Sequence, residues 1–390
     1  MNNINITYAP SGLGSPAPGE DFISSMIFYA TAYPSGFTGS TKTFEVFSVV
    51  DAENLGIVPV GGTGATELDA FHYHISEFFR ENPTGDLWLT VNTATGASVS
   101  YADVLNTQNA ANGQIRQTLV YEHGATFSTS NVALLQIQAA ACSAVNKPLE
   151  IIYQPNFYGL TLSTLPDLSQ QTAPNVSVCV GQDGAALGAS LYTVLNYSIG
   201  IGGIVLGAVS KALVSTSIAW VQNFNVSAVE LDTIAFANGT LYSSLADAAI
   251  TALDNKNYLF LRKFIGIAGS YINNDYTAIA QTSDYSAIHL NRTIHKVARQ
   301  VRTQLLPSVA SPVYFNKDGT MSTLSIAFFK SEAEVALGFM VSNGEISQYN
   351  VIINAAQNVL SSKILNINIQ IIPVGVANTI DLTIGFVLSF

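Results

Sequence analysis

Apolar and polar positions change their period several times along the chain. The stretches 44–50, 86–91, 149–153 and 176–180 are short and apolar and predict strands. Between them, 67–81, 132–145 and 185–197 repeat at helical spacing. The first helix stops at Asn82-Pro83 and the second at Asn146-Lys147-Pro148, because proline cannot continue a helix. Strands that alternate with helices predict an α/β sheet. Residues 198–250 give a Gly-rich helix and then short pieces.

Both ends of the chain look different from this middle. Ile4-Asn5-Ile6-Thr7-Tyr8 alternates like a strand, followed by Pro10, Gly12, Gly14, Pro16, Pro18 and Gly19. A lone strand on such a tether leaves its backbone unpaired and predicts addition to a sheet elsewhere. A helix capped by Ser283 or Asp284 should run to Leu306, before Pro307. At about 100° per residue, Leu290, Ile294, Val297, Val301 and Leu305 share one face. Arg292, Lys296, Arg299 and Arg302 share the opposite face, predicted to point away from their own domain toward an acidic partner. A second helix over 321–337 and strands over 346–355, 364–372 and 379–388 complete the reading.

Composition narrows the function. Only 11% of the 390 residues are charged, against 48% hydrophobic, and the net charge is −11. Disorder is excluded, since it needs few apolar residues and many charges. A nucleic-acid partner is disfavoured by only 15 Lys and Arg. Charge this sparse implies a subunit that covers its surface with partners. The charge is also uneven: 13 acidic and 4 basic side chains up to residue 150, 5 and 1 from 151 to 250, 8 and 10 beyond. An acidic front and a mildly basic rear suit head-to-tail packing of copies. The N-terminus has no basic and apolar leader pattern. The apolar stretch 199–209 is too short to span a membrane and predicts a buried, Gly-packed core segment.

Candidate chemistry is weak. Gly61-Gly62-Thr63-Gly64-Ala65-Thr66 lacks the lysine of a phosphate loop and the spacing of a dinucleotide loop, and reads as a surface loop. His72 and His74, two apart on a helix, point about 200° away from each other and read as packing residues. Cys142 and Cys179 read as small core residues. Asn273-Asn274-Asp275 lacks calcium-loop spacing and reads as a turn. The residues predict no catalytic centre, metal or cofactor.

Arg292-Thr293-Ile294-His295-Lys296-Val297-Ala298-Arg299-Gln300-Val301-Arg302, then Leu305-Leu306-Pro307 and Ser311-Pro312-Val313, resembles the C-terminal domain of contractile-tail sheath proteins. So do Asn343-Gly344-Glu345-Ile346, Gln357-Asn358-Val359-Leu360-Ser361-Ser362-Lys363 and Ile371-Ile372-Pro373-Val374-Gly375. Asp275-Tyr276-Thr277 and Ser283-Asp284-Tyr285 fit as well. Glu20-Asp21-Phe22-Ile23-Ser24 and His74-Ile75-Ser76-Glu77-Phe78-Phe79-Arg80 resemble the N-terminal half of one bacteriophage sheath subfamily.

The resemblance implies a non-enzymatic α/β (overall α+β) subunit with extended β arms at both ends. It implies an N-terminal arm over 1–20, an α/β region over 21–259, a C-terminal sheath domain over 260–363 and a C-terminal arm over 364–390. Such subunits stack as hexameric rings around an inner tube and contract to drive it through a target envelope. The implied partners are further copies, the tail tube, the baseplate and the tail terminator, with no nucleic acid and no membrane insertion. The implied place is a virion tail assembled in the host bacterial cytoplasm. Ile4, Ile6, Tyr8, Ile380, Leu382 and Ile384 would be the intersubunit arm residues, and Arg292, Lys296, Arg299 and Arg302 the tube or subunit contacts. The alternatives are an α/β nucleotide-binding enzyme and the sheath of a phage-derived injection device.

Overall fold

The computed structural model describes residues 20–93, 99–227, 231–382, 384 and 386. The strand expected at Ile4, Ile6 and Tyr8 lies outside them. Strand β1 (Ser24–Tyr29) is buried along its whole length, with Met26 and Phe28 in one core and Ile27 and Tyr29 in the other. A parallel strand covered on both sides must be apolar on both. The chain continues through β2 (Thr43–Val46), helix α1 (Val49–Asn54), α2 (Glu67–Glu81) and β3 (Leu87–Asn92). Next come α3 (Asp103–Ala110), β4 (Gln117–Thr126), α4 (Thr129–Ala144), β5 (Glu150–Asn156) and β6 (Val176–Cys179). Then β7 (Gly181–Asp183), α5 (Leu187–Leu195), α6 (Gly202–Lys211), β8 (Ile234–Phe236) and α7 (Asp247–Asn255) lead to β9 (Tyr258–Leu259).

The main sheet has the order β2-β3-β1-β4-β5-β6-β9, all parallel except β2, which runs antiparallel on β3. The chain winds outward from β1 to β3, then crosses to β4 and continues the other way. Helices α2 and α6 cover one face, and α3, α4 and α7 the other. This is the α/β class read from the sequence.

Two helices show how local sequence sets these elements. Thr66 and Asp69 form a reciprocal capping box at the start of α2, which satisfies amides left free by the first turn. Helix α6, the Gly-packed segment, is buried over residues 202–210 and lies against α2. A Cβ on Gly203 would come within 2.3 Å of the His74 carbonyl oxygen, so only glycine permits this approach.

The C-terminal region begins with the hairpin β10 (Leu261–Phe264) and β11 (Ile267–Ile272). Helices α8 (Ile288–Leu305) and α9 (Thr323–Ser342) pack on each other and on β12 (Ile346–Ile352). After the short α10 (Val359–Ser362), β13 (Asn368–Pro373) pairs antiparallel with β12, placing Pro373 opposite Ile346. Val297, Val301, Ala333, Leu337, Met340 and Ile346 form the core of this part.

Three expectations need correction. The strand expected over 44–50 ends at Val46, because Ser48 caps α1 by accepting from the Asp51 amide. Helix α8 starts at Ile288, not after Ser283 or Asp284, because the Asp275 carboxylate accepts from the His289 amide in its first turn. The stretch 364–372 is not wholly an arm: residues 368–373 pair with β12 of their own chain. Of the stretch 379–388, residues 383, 385, 387 and 388 lie outside the described residues, and 379–382 join no strand among the described residues.

Candidate interaction surfaces

The cationic side of α8 does not face outward as expected. Arg292 is 4% exposed and donates to the backbone oxygens of Ala212 and Asp21 at 3.2 and 3.1 Å. Lys296 Nζ donates to Asp21 Oδ2 at 2.5 Å and also to Glu345 Oε1. Arg299 Nη2 donates to Asp21 Oδ1 at 2.8 Å. The reason is local: the chain places carboxylates at residues 21 and 345 beside this face, and largely desolvated cations must be paired. Burial alone would raise the Asp21 carboxyl, but Lys296, Arg299 and Arg292 outweigh it and hold it below the ordinary carboxylate range. Burial lowers the Arg292 guanidinium to about 10, against the pull of Asp21 and Glu150, so it stays cationic at neutral pH. Arg302, by contrast, is exposed.

The Asp21–Lys296–Glu345 bridge joins two distant parts of the chain. Asp21 lies just before β1, and Glu345 just before β12, whose Ile346 faces Pro373.

A second polar seam joins α8 to the amino ends of the sheet strands. Glu150, at the start of β5, accepts from Asn175 Nδ2 at 2.9 Å and lies 3.3 Å from His295 Nδ1. Burial pushes Glu150 up to about 8 and His295 down to about 3. Further along, Asp275 binds His289 Nδ1 at 2.5 Å and accepts from Ser217 Oγ at 3.0 Å. The Asn273-Asn274-Asp275 segment, expected as a turn, is instead an irregular stretch that forms a buried polar hub.

Among the described residues, apolar surface stays open on α9 and in the tail. Helix α9 buries Phe329, Ala333, Leu337 and Met340 on one side, yet exposes Leu324, Phe328, Val335 and Phe339 on another. In the tail beyond β13, Ile380, Leu382, Ile384 and Phe386 are 76%, 80%, 90% and 109% exposed. The alternating apolar pattern at these positions was legible in the sequence. The open face of α9 was not recognised there, although 323–342 carries only Lys330, Glu332 and Glu334 as charges.

The remaining candidates sit in structural roles. His74 is fully buried and accepts from the Gly203 amide at 3.1 Å, and burial lowers it to about 3, which keeps it neutral. His72 pairs instead with Glu53 at 2.9 Å. The Gly61–Thr66 loop spends its amides internally: Asp69 accepts from the Gly61 and Thr66 amides, each at 2.7 Å. Cys142 and Cys179 are buried, and burial raises both thiols, Cys142 to about 11. At the carboxyl ends of β1 and β4, where a sheet of this winding places ligands, Glu122 accepts from Tyr101 and Tyr153, and His123 pairs with Glu67 at 3.2 Å. Among the described residues no cluster of three or more His, Cys, Asp or Glu forms a metal site, and no helix is long and apolar enough to cross a membrane.

This doubly wound sheet joined to a two-helix domain with a β hairpin is the fold of contractile-system sheath proteins. The chain belongs to the DUF2586 family: the profile described as DUF2586, N-terminal domain, matches residues 1–276, and that described as DUF2586, C-terminal domain, matches 284–390. Among solved structures it is similar to a chain of the anti-feeding prophage baseplate, 6-fold symmetrised, at 13% identity and TM-score 0.64, covering 100% of this chain and 99% of that one. It is similar to a chain of the PVC sheath complex of an extracellular contractile injection system in the contracted state, at 12% identity and TM-score 0.66, covering 100% and 98%. The sheath tail protein Lin1278 from Listeria innocua is more distant, at 9% identity and TM-score 0.50, covering 90% and 94%. No curated protein sequence matches the chain.

Proposed function

We propose that this protein is a structural, non-enzymatic subunit of a contractile sheath. In this reading copies stack as hexameric rings around an inner tube and are joined by their two ends. A triggered contraction then drives the tube through a target envelope. The observation that carries the reading is the fold likeness over the full chain to the PVC sheath complex, at 100% and 98% coverage. The exposed tail at Ile380, Leu382 and Ile384 supports it, because an extended apolar segment with unpaired backbone is stabilised by adding to another chain. Ile4, Ile6 and Tyr8 are proposed to serve the opposite end in the same way. Contraction without fuel requires two packings of unequal free energy separated by a barrier.

The partners in this reading are further copies, the tube, the baseplate and the tail terminator. Of the four cations first assigned to a tube contact, Arg302 is the one presented outward, and it is retained for that role. Likeness to the anti-feeding prophage and PVC assemblies favours a second version, in which the sheath serves a phage-derived injection device rather than a virion tail. The test of the sheath reading is negative-stain microscopy of the purified full-length protein. Helical tubes or stacked rings are expected, and dispersed small particles at all concentrations would overturn it.

A further inference from the structure

A cleft of ≈750 Å³ opens near the β9 edge of the main sheet, between the loop after α6, the end of α7, β10 and residues 374–379. Part of its wall is apolar: Trp220 is 49% exposed there and Leu213 62%. Two charged side chains line it, Asp254 and Arg262. Asp254 accepts from Asn273 Nδ2 at 2.7 Å rather than from Arg262. The Arg262 guanidinium lies 4.4 Å over the Phe264 ring, and its Nε is shielded from solvent with no acceptor among the described residues. A half-buried guanidinium in that state is stabilised by a carboxylate brought from outside, and a neighbouring indole supplies the apolar contact that fixes the approach.

The opposite edge of the sheet carries the complement. Strand β2 forms that edge, and Glu45 and Phe47 are exposed on it while Val46 between them is buried. Phe47 is 58% exposed. Asp86, just before β3, adds a second carboxylate: burial first and Asp86 second hold the Glu45 carboxyl above its ordinary range, and no cation among the described residues offsets them. Like charges side by side without a counter-ion are stabilised when a cation approaches. Six strand spacings of ~4.8 Å put the two edges roughly 29 Å apart, so the patch and the cleft of one chain do not meet each other. We propose that the β2 edge of one copy docks in this cleft of a second copy, with Glu45 on Arg262 and Phe47 against Trp220. A contact between two different faces runs head to tail, so it repeats from copy to copy and closes a ring where the rotation allows. The outer backbone groups of β2, which have no neighbouring strand in their own sheet, add hydrogen-bonding capacity to the same contact. Taking the partner to be a second copy rests on the sheath reading; the match of charge and ring does not.

The test mixes full-length chains carrying Phe47→Cys or Leu213→Cys and then oxidises them. The native cysteines are buried, which keeps background low. Circular dichroism checks that each variant folds. A covalent dimer between the two variants is expected, well above the yield when Leu360→Cys takes the place of Phe47→Cys. Glu45→Lys or Arg262→Glu alone should weaken association in sedimentation about tenfold, and one chain carrying both should recover it. A double charge variant as weak as either single one overturns the pairing. A dimer of Leu213→Cys with Ile4→Cys but not with Phe47→Cys gives the cleft to the first residues of the chain and overturns the proposal. Lack of any dimer overturns it too; tubes seen by microscopy in that case leave the sheath reading standing. The expected dimer without tubes supports the contact while the sheath reading fails.

Discussion

Replacing Asp21 by asparagine removes the carboxylate shared by Lys296 and Arg299 without changing the size of the side chain. The backbone oxygen of residue 21 still accepts from Arg292, so the perturbation falls on two ion pairs and the weaker electrostatic pull of Arg292. Side-chain exposures of 26% for Asp21, 12% for Lys296 and 18% for Arg299 place the cluster between the surface and buried limits. Exposed pairs contribute ~0–1 kcal/mol, and breaking a buried pair costs ~3–5. Lys296 keeps Glu345, which lowers the cost further. The expected loss is about 1.5–3 kcal/mol by interpolation between those limits. At ~2.1 cal/mol/K per residue, a cooperative unit of this chain's length changes its melting temperature by about 1.2 °C per kcal/mol. The expected drop is therefore about 2–4 °C. Calorimetry at pH 7 and low salt measures it, and a cycle with Lys296→Met should give a coupling above about 0.5 kcal/mol. The native carboxyl is held below its unfolded value, so its contribution is present above about pH 4 and is lost as pH falls through the native value. An unchanged melting temperature at pH 7, or an equal deficit after the carboxyl is protonated, would refute the ion-pair argument.

Glu150→Gln should reverse a pH dependence: the native group holds its proton to about 8 while the unfolded one releases it near ~4.3, so the natural protein loses stability between these values. Denaturant melts at pH 5 and pH 8 should show the variant gaining on the natural protein as pH rises; parallel curves refute the assignment. Gly203→Ala should cost about 2–3 kcal/mol, because a methyl there strikes the His74 carbonyl and forces α6 away from α2. A melting temperature within 1 °C of the natural protein's, on the order of 1 kcal/mol, would show that the helices move apart freely. Removing residues 374–390 should leave the circular dichroism and melting curve nearly unchanged but abolish polymers in sedimentation. Ordered polymers from the shortened chain would rule out the tail as a linking segment.

The helices most legible in the sequence are those whose ends are set locally. Residues 67–81 form α2 within their predicted limits, since Thr66, Asp69 and Pro83 all act within a turn of its ends. The start of α8 was misplaced because its cap comes from Asp275, thirteen residues before its first residue. Strands β1 and β4 were missed for a different reason. Central parallel strands do not alternate, and β4 carries Gln117 and Glu122 into buried networks that read as loop polarity. The opposition of the two α8 faces was visible at 3.6-residue spacing, but what each face meets was not. Asp21 is 275 residues from Lys296, and no local pattern reports a partner at that distance. The tail's apolar alternation was visible for the opposite reason: it is read from consecutive positions alone, and among the described residues Ile380, Leu382, Ile384 and Phe386 stay exposed.

Lys296 also defines a route for mechanical load. Tension arriving through the first residues enters the described fold at Asp21, and tension through the tail enters at Pro373, paired with the residue after Glu345. One ammonium group spans the two points of entry. A pull between the two termini would therefore be shared between this bridge and β1, an inner strand of the sheet, which begins three residues after Asp21.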